Sequence, residues 1–216
     1  MINMTDHENS ILWNEYFYPG TNILINNFDI KDYENLKKEE ASNAFDRLLE
    51  LRSNPLDLGC GLNHLKELHR YIFGDVYPFA GKYRKVNMEK ELGSFLFIDS
   101  PNDIELYLNE LFAEIEGQLK SCSNKHDFCE IMAKLYTQLI YCHPFREGNG
   151  RTTREFLREF SIQKSKELGL GEMELEWRLI DKEVLNHYIE VAHIFPGQTA
   201  SLFYEALISK DRAKNI

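Results

Sequence analysis

His143-Pro144-Phe145-Arg146-Glu147-Gly148-Asn149-Gly150-Arg151-Thr152-Thr153-Arg154 is the run around which this chain is arranged. It gathers a base, an acid, two glycines and two spaced arginines into one turn and the start of one helix. Upstream, Phe128, Ile131, Met132, Leu135 and Leu139 recur at helical spacing, the stripe of a core-facing helix. Pro144 disfavours helical geometry at the residue before it, so that helix is expected to end near Cys142 or His143, with the imidazole at the lip of a loop. The segment reads helix, loop, helix.

Gly148 and Gly150 flank Asn149 and let the backbone turn so that successive N–H groups face one concavity, an anion nest at the head of the next helix. Arg151 and Arg154, three apart on that helix, are expected to share a face and offer forked donors to phosphate oxygens. Glu147 is acidic in a site otherwise suited to anions. Beside bound phosphates it makes sense as a ligand for a hard cation such as Mg²⁺, which is held by one or two carboxylates plus phosphate oxygens. Taken singly, His143 could close a helix and Glu147 with Arg151 could be a surface ion pair worth little. Taken together, base, acid, nest and arginine pair in one run point to a phosphate-binding catalytic site, with Phe145 the one structural member.

The string resembles the Fic signature, H-x-F-x-(D/E)-G-N-G-R-x-x-R, at every specified position. The resemblance implies an all-α, mainly helical fold with a small β-hairpin flap, and a nucleotidyltransferase that moves AMP from ATP to a Tyr, Ser or Thr hydroxyl of a target protein. It implies His143 as general base, Phe145 as the loop's core anchor and Glu147 as the Mg²⁺ ligand. Gly148, Asn149 and Gly150 become the anion hole, with Arg151 and Arg154 toward the β- and γ-phosphates. The helix around Leu65, the Tyr77-Pro78-Phe79-Ala80-Gly81 segment and the Tyr18-Pro19-Gly20-Thr21 opening look like Fic toxins inhibited by a separate small antitoxin. The resemblance covers residues 16 to 208, leaving an N-terminal arm, 1 to 15, and a charged tail, 209 to 216. Doc-type kinases, related to Fic, carry lysine where this chain has Gly150; a nucleotide-binding regulator without catalysis would have no use for His143. Fic proteins are often silenced by a helix bearing [S/T]-x-x-x-E-[G/N]. Here Ser201 to Glu205 is the only Ser or Thr with Glu four later, and Ala206 follows where Gly or Asn is expected.

With 216 residues the chain is expected to form one domain with a sizeable core. A formal net charge of −10 argues against nucleic acid or anionic membrane as the main partner, since both are approached through basic patches. Cys60, Cys122, Cys129 and Cys142 form no C-x-x-C pair, which fits free thiols in a reducing cytoplasm. Zinc held by His126, Cys129, Cys142 and His143, or a nucleophilic Cys142, is conceivable but lacks a recognisable spacing. No apolar stretch approaches a membrane span and the N-terminus lacks a basic leader, so a cytoplasmic protein is expected.

Along the chain, the residues before Asp32 read as an extended arm packed through Trp13, Tyr16, Phe17 and Tyr18. A helix is expected over 33 to 52 with Leu36, Phe45, Leu48 and Leu49 inward, and another after an Asn63 cap, carrying His69 as a hydrogen-bonded core histidine. Strands at 84 to 88 and 94 to 98 would form the hairpin, whose exposed edge, 84 to 98, is expected to dock the target through main-chain pairing. Ser100-Pro101-Asn102-Asp103 reads as a capping box opening a helix with Ile104, Leu108, Leu111, Phe112, Ile115 and Leu119 on one stripe. Helices over 182 to 193 and from Thr199 complete the chain.

Overall fold

The structure, a computed structural model, describes residues 5–56, 58–88, 100–190 and 197–214. The apolar stripe before the loop is helix α5 (Lys125–Cys142), and Phe128, Ile131, Met132, Leu135 and Leu139 are all buried in it. Asn124 starts it by accepting the Asp127 amide at 3.0 Å. Against α5 pack α4 (Ile104–Leu119), α6 (Asn149–Glu167) and α8 (Gly197–Ala206). Helix α3 (Leu62–Phe73) lies on α6, α2 (Tyr33–Ser53) on α3, and α7 (Lys182–Glu190) on α8. All six predicted inward residues of α4 are buried. Aromatic rings fill the seams, with Phe128 parallel to Phe160 at 6.2 Å and Phe112 edge-on to Phe156 at 5.6 Å.

The fold is mainly helical with one small antiparallel sheet among the described residues, and that sheet lies where no strand was expected. Strand β1 (Met173–Leu175) pairs with β2 (Leu207–Ser209), Glu174 opposite Ile208. Two serines on α6 hold β1 in place: Ser161 Oγ accepts the Leu175 amide at 2.9 Å and Ser165 Oγ the Met173 amide at 3.0 Å. The expected hairpin is not found in residues 84–88, which carry no strand, and residues 89–98 lie outside the described residues. The Lys85 amide donates to Tyr16 Oη and the Asn87 amide to Asn9 Oδ1, so the arm already takes two donors of the anticipated docking edge. Val86 is fully buried.

Other differences have local causes. The arm is not wholly extended: Thr5 and Glu8 form a capping box that nucleates α1 (Asp6–Asn14), a helix with no buried residue. On α2 the buried residues are Leu36, Ala44 and Leu51, whereas Phe45 and Leu49 are more than half exposed. Gly61, not Asn63, caps α3, and Ser100 opens a 3-10 turn (Pro101–Asp103) without a side-chain bond. The tail expected from 209 is ordered through α9 (Lys210–Ala213), where Ala213 is buried. The end expected for α7 at 193 lies outside the described residues.

Beneath α6, Arg158 sits among carboxylates, bonding Glu155 at 2.6 to 3.0 Å, with Glu174 at 3.4 Å and Glu159 at 3.6 Å. Glu159 in turn meets His64 Nε2 at 2.6 Å, and Arg52 approaches Glu174 from the rim at 3.9 Å. Burial pushes the Glu155 carboxyl up even with Arg158 beside it. Removing the cation leaves buried carboxylates uncompensated, so Arg158→Ala is expected to lose about 3–5 kcal/mol of stability, read as a lower urea midpoint at pH 7.

Candidate functional site

His143 closes α5 in the left-handed conformation, φ 45° and ψ 59°, which turns the chain out of the helix and sets the imidazole at the mouth of the loop. The cap is completed from 59 residues away. Arg84, 2% exposed, donates from Nε to the His143 carbonyl at 2.9 Å and from Nη2 to Cys142 O at 3.4 Å, while its amide donates to Pro144 O at 2.8 Å. A guanidinium on the last carbonyls of a helix also meets the negative end of its dipole. The residue predicted to begin an exposed strand is thus a buried cap. The ring Nδ1 of His143 is enclosed.

After Pro144 the loop is gripped by side chains. Phe145 is buried, its ring stacked on His69 with centroids 3.8 Å apart. The His69 ring has its roles set by unambiguous partners: Gly81 N–H donates to Nδ1 at 2.8 Å, so Nε2 carries the hydrogen given to the Glu147 carbonyl at 2.9 Å. Burial pushes the His69 pKa down to about 4, and a second ring proton would face the Gly81 N–H. The Asn149 side chain clasps Phe145 from the other side, accepting its amide at 2.9 Å and donating to its carbonyl at 2.7 Å. Asn149 therefore offers a ligand only its main-chain N–H; its side chain holds the turn.

Gly148, at φ 79°, is required twice over, since an added Cβ would stand 2.3 Å from Phe73 Cε2. The first-turn N–H groups of Asn149, Gly150 and Arg151 take no acceptor among the described residues, the open nest the sequence suggested. Glu147, 42% exposed at its side chain, accepts the Gly148 amide on Oε1 at 2.9 Å and stands 3.8 Å from Arg151 Nη2.

The two arginines have different neighbours. Arg151 lies over the Phe73 ring, Cζ 4.7 Å from its centroid, and is paired with Glu40 of α2. Arg154 lies beside Tyr136 of α5 and close to Gly150, and its carbonyl accepts Trp177 Nε1 at 2.9 Å. Arg146, unassigned from sequence, is buried in a cage of Trp13, Tyr16 and Phe17, with Cζ 4.2 Å from the Trp13 ring. Burial pushes its pKa down. Among the described residues no group of three metal-ligating side chains occurs, so zinc on Cys129, Cys142, His143 and His126 is not assembled. Cys142 is buried and its thiol pushed up to about 12 by burial, the opposite of what a nucleophile needs.

Residues 56–161 match the model of the Fic/DOC family. Over 160 residues the chain is 34% identical to "Probable protein adenylyltransferase y4lH" of Sinorhizobium fredii, spanning 73% of this chain and 80% of that protein. The chain belongs to the Fic/DOC family. It is also 32% identical over 170 residues to "Protein adenylyltransferase VbhT" of Bartonella schoenbuchensis, where it spans only 33% of that longer protein. To "Probable protein adenylyltransferase Fic" of Escherichia coli it is 29% identical over 177 residues, 79% of this chain and 80% of that one. Crystal structures of Bartonella Fic proteins share the fold. The Bartonella tribocorum BepC protein with bound AMPPNP has TM-score 0.76 at 21% identity, covering 91% of this chain and 98% of its own. A Bartonella quintana Fic domain with bound ADP has TM-score 0.79 at 21% identity, covering 94% and 99%.

In this Fic-family loop, Gly148→Ala is expected to fold less stably by about 1–3 kcal/mol and to displace the turn, because backbone strain and the Phe73 clash act together. Thermal melting reads the loss, and Phe73→Leu in the same chain should recover only part of it. His69 gives a pH signature. Its folded pKa lies below the unfolded value of about 6.5, so its stabilising contribution is complete above that pH and is lost as pH falls toward 4, by about 3 kcal/mol in all. His69→Gln should be less stable at pH 7 yet lack this one-proton slope between pH 6.5 and 4 in urea titrations.

Proposed function

We propose that this chain is a protein adenylyltransferase that moves AMP from ATP to a Tyr, Ser or Thr hydroxyl of a target protein, releasing pyrophosphate. The observation that carries the reading is the joint placement of a basic imidazole at the α5 C-terminus and an open amide nest at the α6 N-terminus, with the turn between them immobilised. His143 Nε2 takes the proton of the attacking hydroxyl as the α-phosphorus–oxygen bond to pyrophosphate breaks. The amides of Asn149, Gly150 and Arg151 receive phosphate oxygens, and Arg151 and Arg154 supply charge toward the β- and γ-phosphates. The fixed loop keeps these groups in register, which is where positional catalysis originates.

Mg²⁺ fits the donor set: Glu147 is one accessible carboxylate beside the nest, and a magnesium ion is commonly held by one carboxylate, phosphate oxygens and water. Bound there, it would neutralise phosphate charge. The relatives' names and the nucleotides in the Bartonella structures support ATP as co-substrate. Gly150 supports AMP transfer over a Doc-like kinase, which carries lysine at this position.

The chain acts as the toxin of a pair whose inhibitor is a separate small protein. Supporting this, Ser201 and Glu205 are both exposed on α8, and among the described residues Ser201 Oγ bonds Gly197 O and Glu205 forms no ion pair with Arg154. Target docking at 84–98 belongs to the same reading, with the Lys85 and Asn87 amides of that segment taken by Tyr16 and Asn9 of the arm. The working site is the cytoplasm, a reading supported by the free thiols of Cys60, Cys122, Cys129 and Cys142.

Incubation with ATP and a lysate, followed by mass spectrometry, should show an AMP adduct on a target hydroxyl; a phosphate adduct would mean a kinase and no adduct a pure binder. His143→Ala should lower transfer by about 10²–10⁴-fold while nucleotide affinity changes little. Transfer near the wild-type rate would remove His143 from the role of base.

A further inference from the structure

Arg151 is held by a chain of groups that begins far from the motif. Its Nη2 donates to Oε1 of Glu40, 111 residues earlier on α2, and the other oxygen of that carboxylate, Oε2, accepts the hydroxyl of Tyr77. Glu40 is mostly buried, its side chain 13% exposed. Tyr77 is itself fixed, 3% exposed, with its ring stacked on Phe79 at 4.8 Å. Burial first, then the hydrogen bond to Glu40 and its charge, raise the Tyr77 phenol, which keeps it a donor at any working pH. Beneath Arg151 the Phe73 ring closes one face of the guanidinium. Tyr77, Glu40, Arg151 and Glu147 thus form a continuous line along the wall of a cavity of about 490 Å³.

We infer that Glu40 is a positioning residue for nucleotide binding, bracing Arg151 so that its remaining edge is presented to a phosphate. This rests on Arg151 being a phosphate ligand, as proposed above. A guanidinium has five N–H donors in a fixed fork, and Glu40 engages only Nη2. Nε and Nη1 have no acceptor among the described residues and are left for an incoming oxygen. An unbraced arginine would lose about 2 kcal/mol of rotamer entropy on binding, so fixing it beforehand improves affinity without any contact between Glu40 and the ligand. The carboxylate also cannot follow Arg151 out toward a ligand, because Tyr77 holds its far oxygen. The alternative, that Glu40 competes with phosphate for Arg151, predicts tighter nucleotide binding once the carboxylate is removed.

The test is titration of the full chain with AMPPNP by calorimetry, alongside ATP kinetics of transfer. Glu40→Ala and the milder Glu40→Gln should weaken AMPPNP binding by about tenfold and about threefold, and raise the KM for ATP in parallel, with kcat within about threefold of wild type. Tyr77→Phe should give a smaller loss in the same direction, and Glu40→Asp should keep part of the affinity. In an Arg151→Ala background, adding Glu40→Ala should cost nothing further, since its effect passes through Arg151. The inference is overturned by unchanged affinity in both Glu40 variants, by tighter binding and faster transfer, which would make Glu40 a competitor, or by a full additive loss without Arg151. Calorimetry needs no turnover, so a chain that binds AMPPNP through this line yet modifies no target would refute the adenylyltransferase reading and leave the role of Glu40 standing.

Discussion

The carbonyl groups of the loop between α5 and α6 turn into the protein, and the rest of the structure depends on what receives them. Arg84 takes those of His143 and Cys142, His69 takes that of Glu147, and Asn149 takes that of Phe145. A buried carbonyl without a donor costs about as much as a lost hydrogen bond. Each receiver is therefore a condition of the loop's shape. With its carbonyls satisfied inward, the loop and helix start can present amides outward, and a concavity of unpaired N–H groups becomes compatible with a stable fold.

Two of those receivers are cations or ring nitrogens in places where burial opposes charge, and the protein handles them differently. His69 is kept neutral by burial and by the Gly81 amide pointing at its free nitrogen. Arg84 faces helix-terminal carbonyls, where positive charge is favoured. Arg146 is accommodated by the faces of three aromatic residues from the arm, with the Glu147 charge offsetting part of the cost of its burial. The arm is thereby tied to the motif: Trp13, Tyr16 and Phe17 cover Arg146, while Asn9 and Tyr16 take the amides of Asn87 and Lys85.

Much of this was legible in the chain itself. The stripes of α4 and α5 gave helices with the right buried residues, Pro144 marked the end of α5, and the motif placed nest, acid and base on neighbouring residues. These signals are local: periodicity, a proline and glycines act through the backbone within a turn or two. On α2 the pattern misled, because apolar residues stand side by side at Ala44-Phe45 and Leu48-Leu49, and the packing against α3 decides that Ala44 and Leu51, rather than Phe45 and Leu49, face inward. The β1–β2 pairing joins segments more than thirty residues apart and had no local mark at all.

What the sequence determined by itself was the helical class, the helix-loop-helix around the motif and the identity of the groups that can do chemistry there, since each follows from residue type and near spacing. What only the tertiary structure decided was which distant residues hold those groups. Arg84 looked like the start of a strand, and neither Glu40 nor Arg146 carried a role that near spacing could show. Their roles come from being brought beside the loop by α2, α3 and the arm. A hydrogen bond across 59 or 111 residues depends on the packing of whole helices, and that packing energy is spread over the core rather than written at either end.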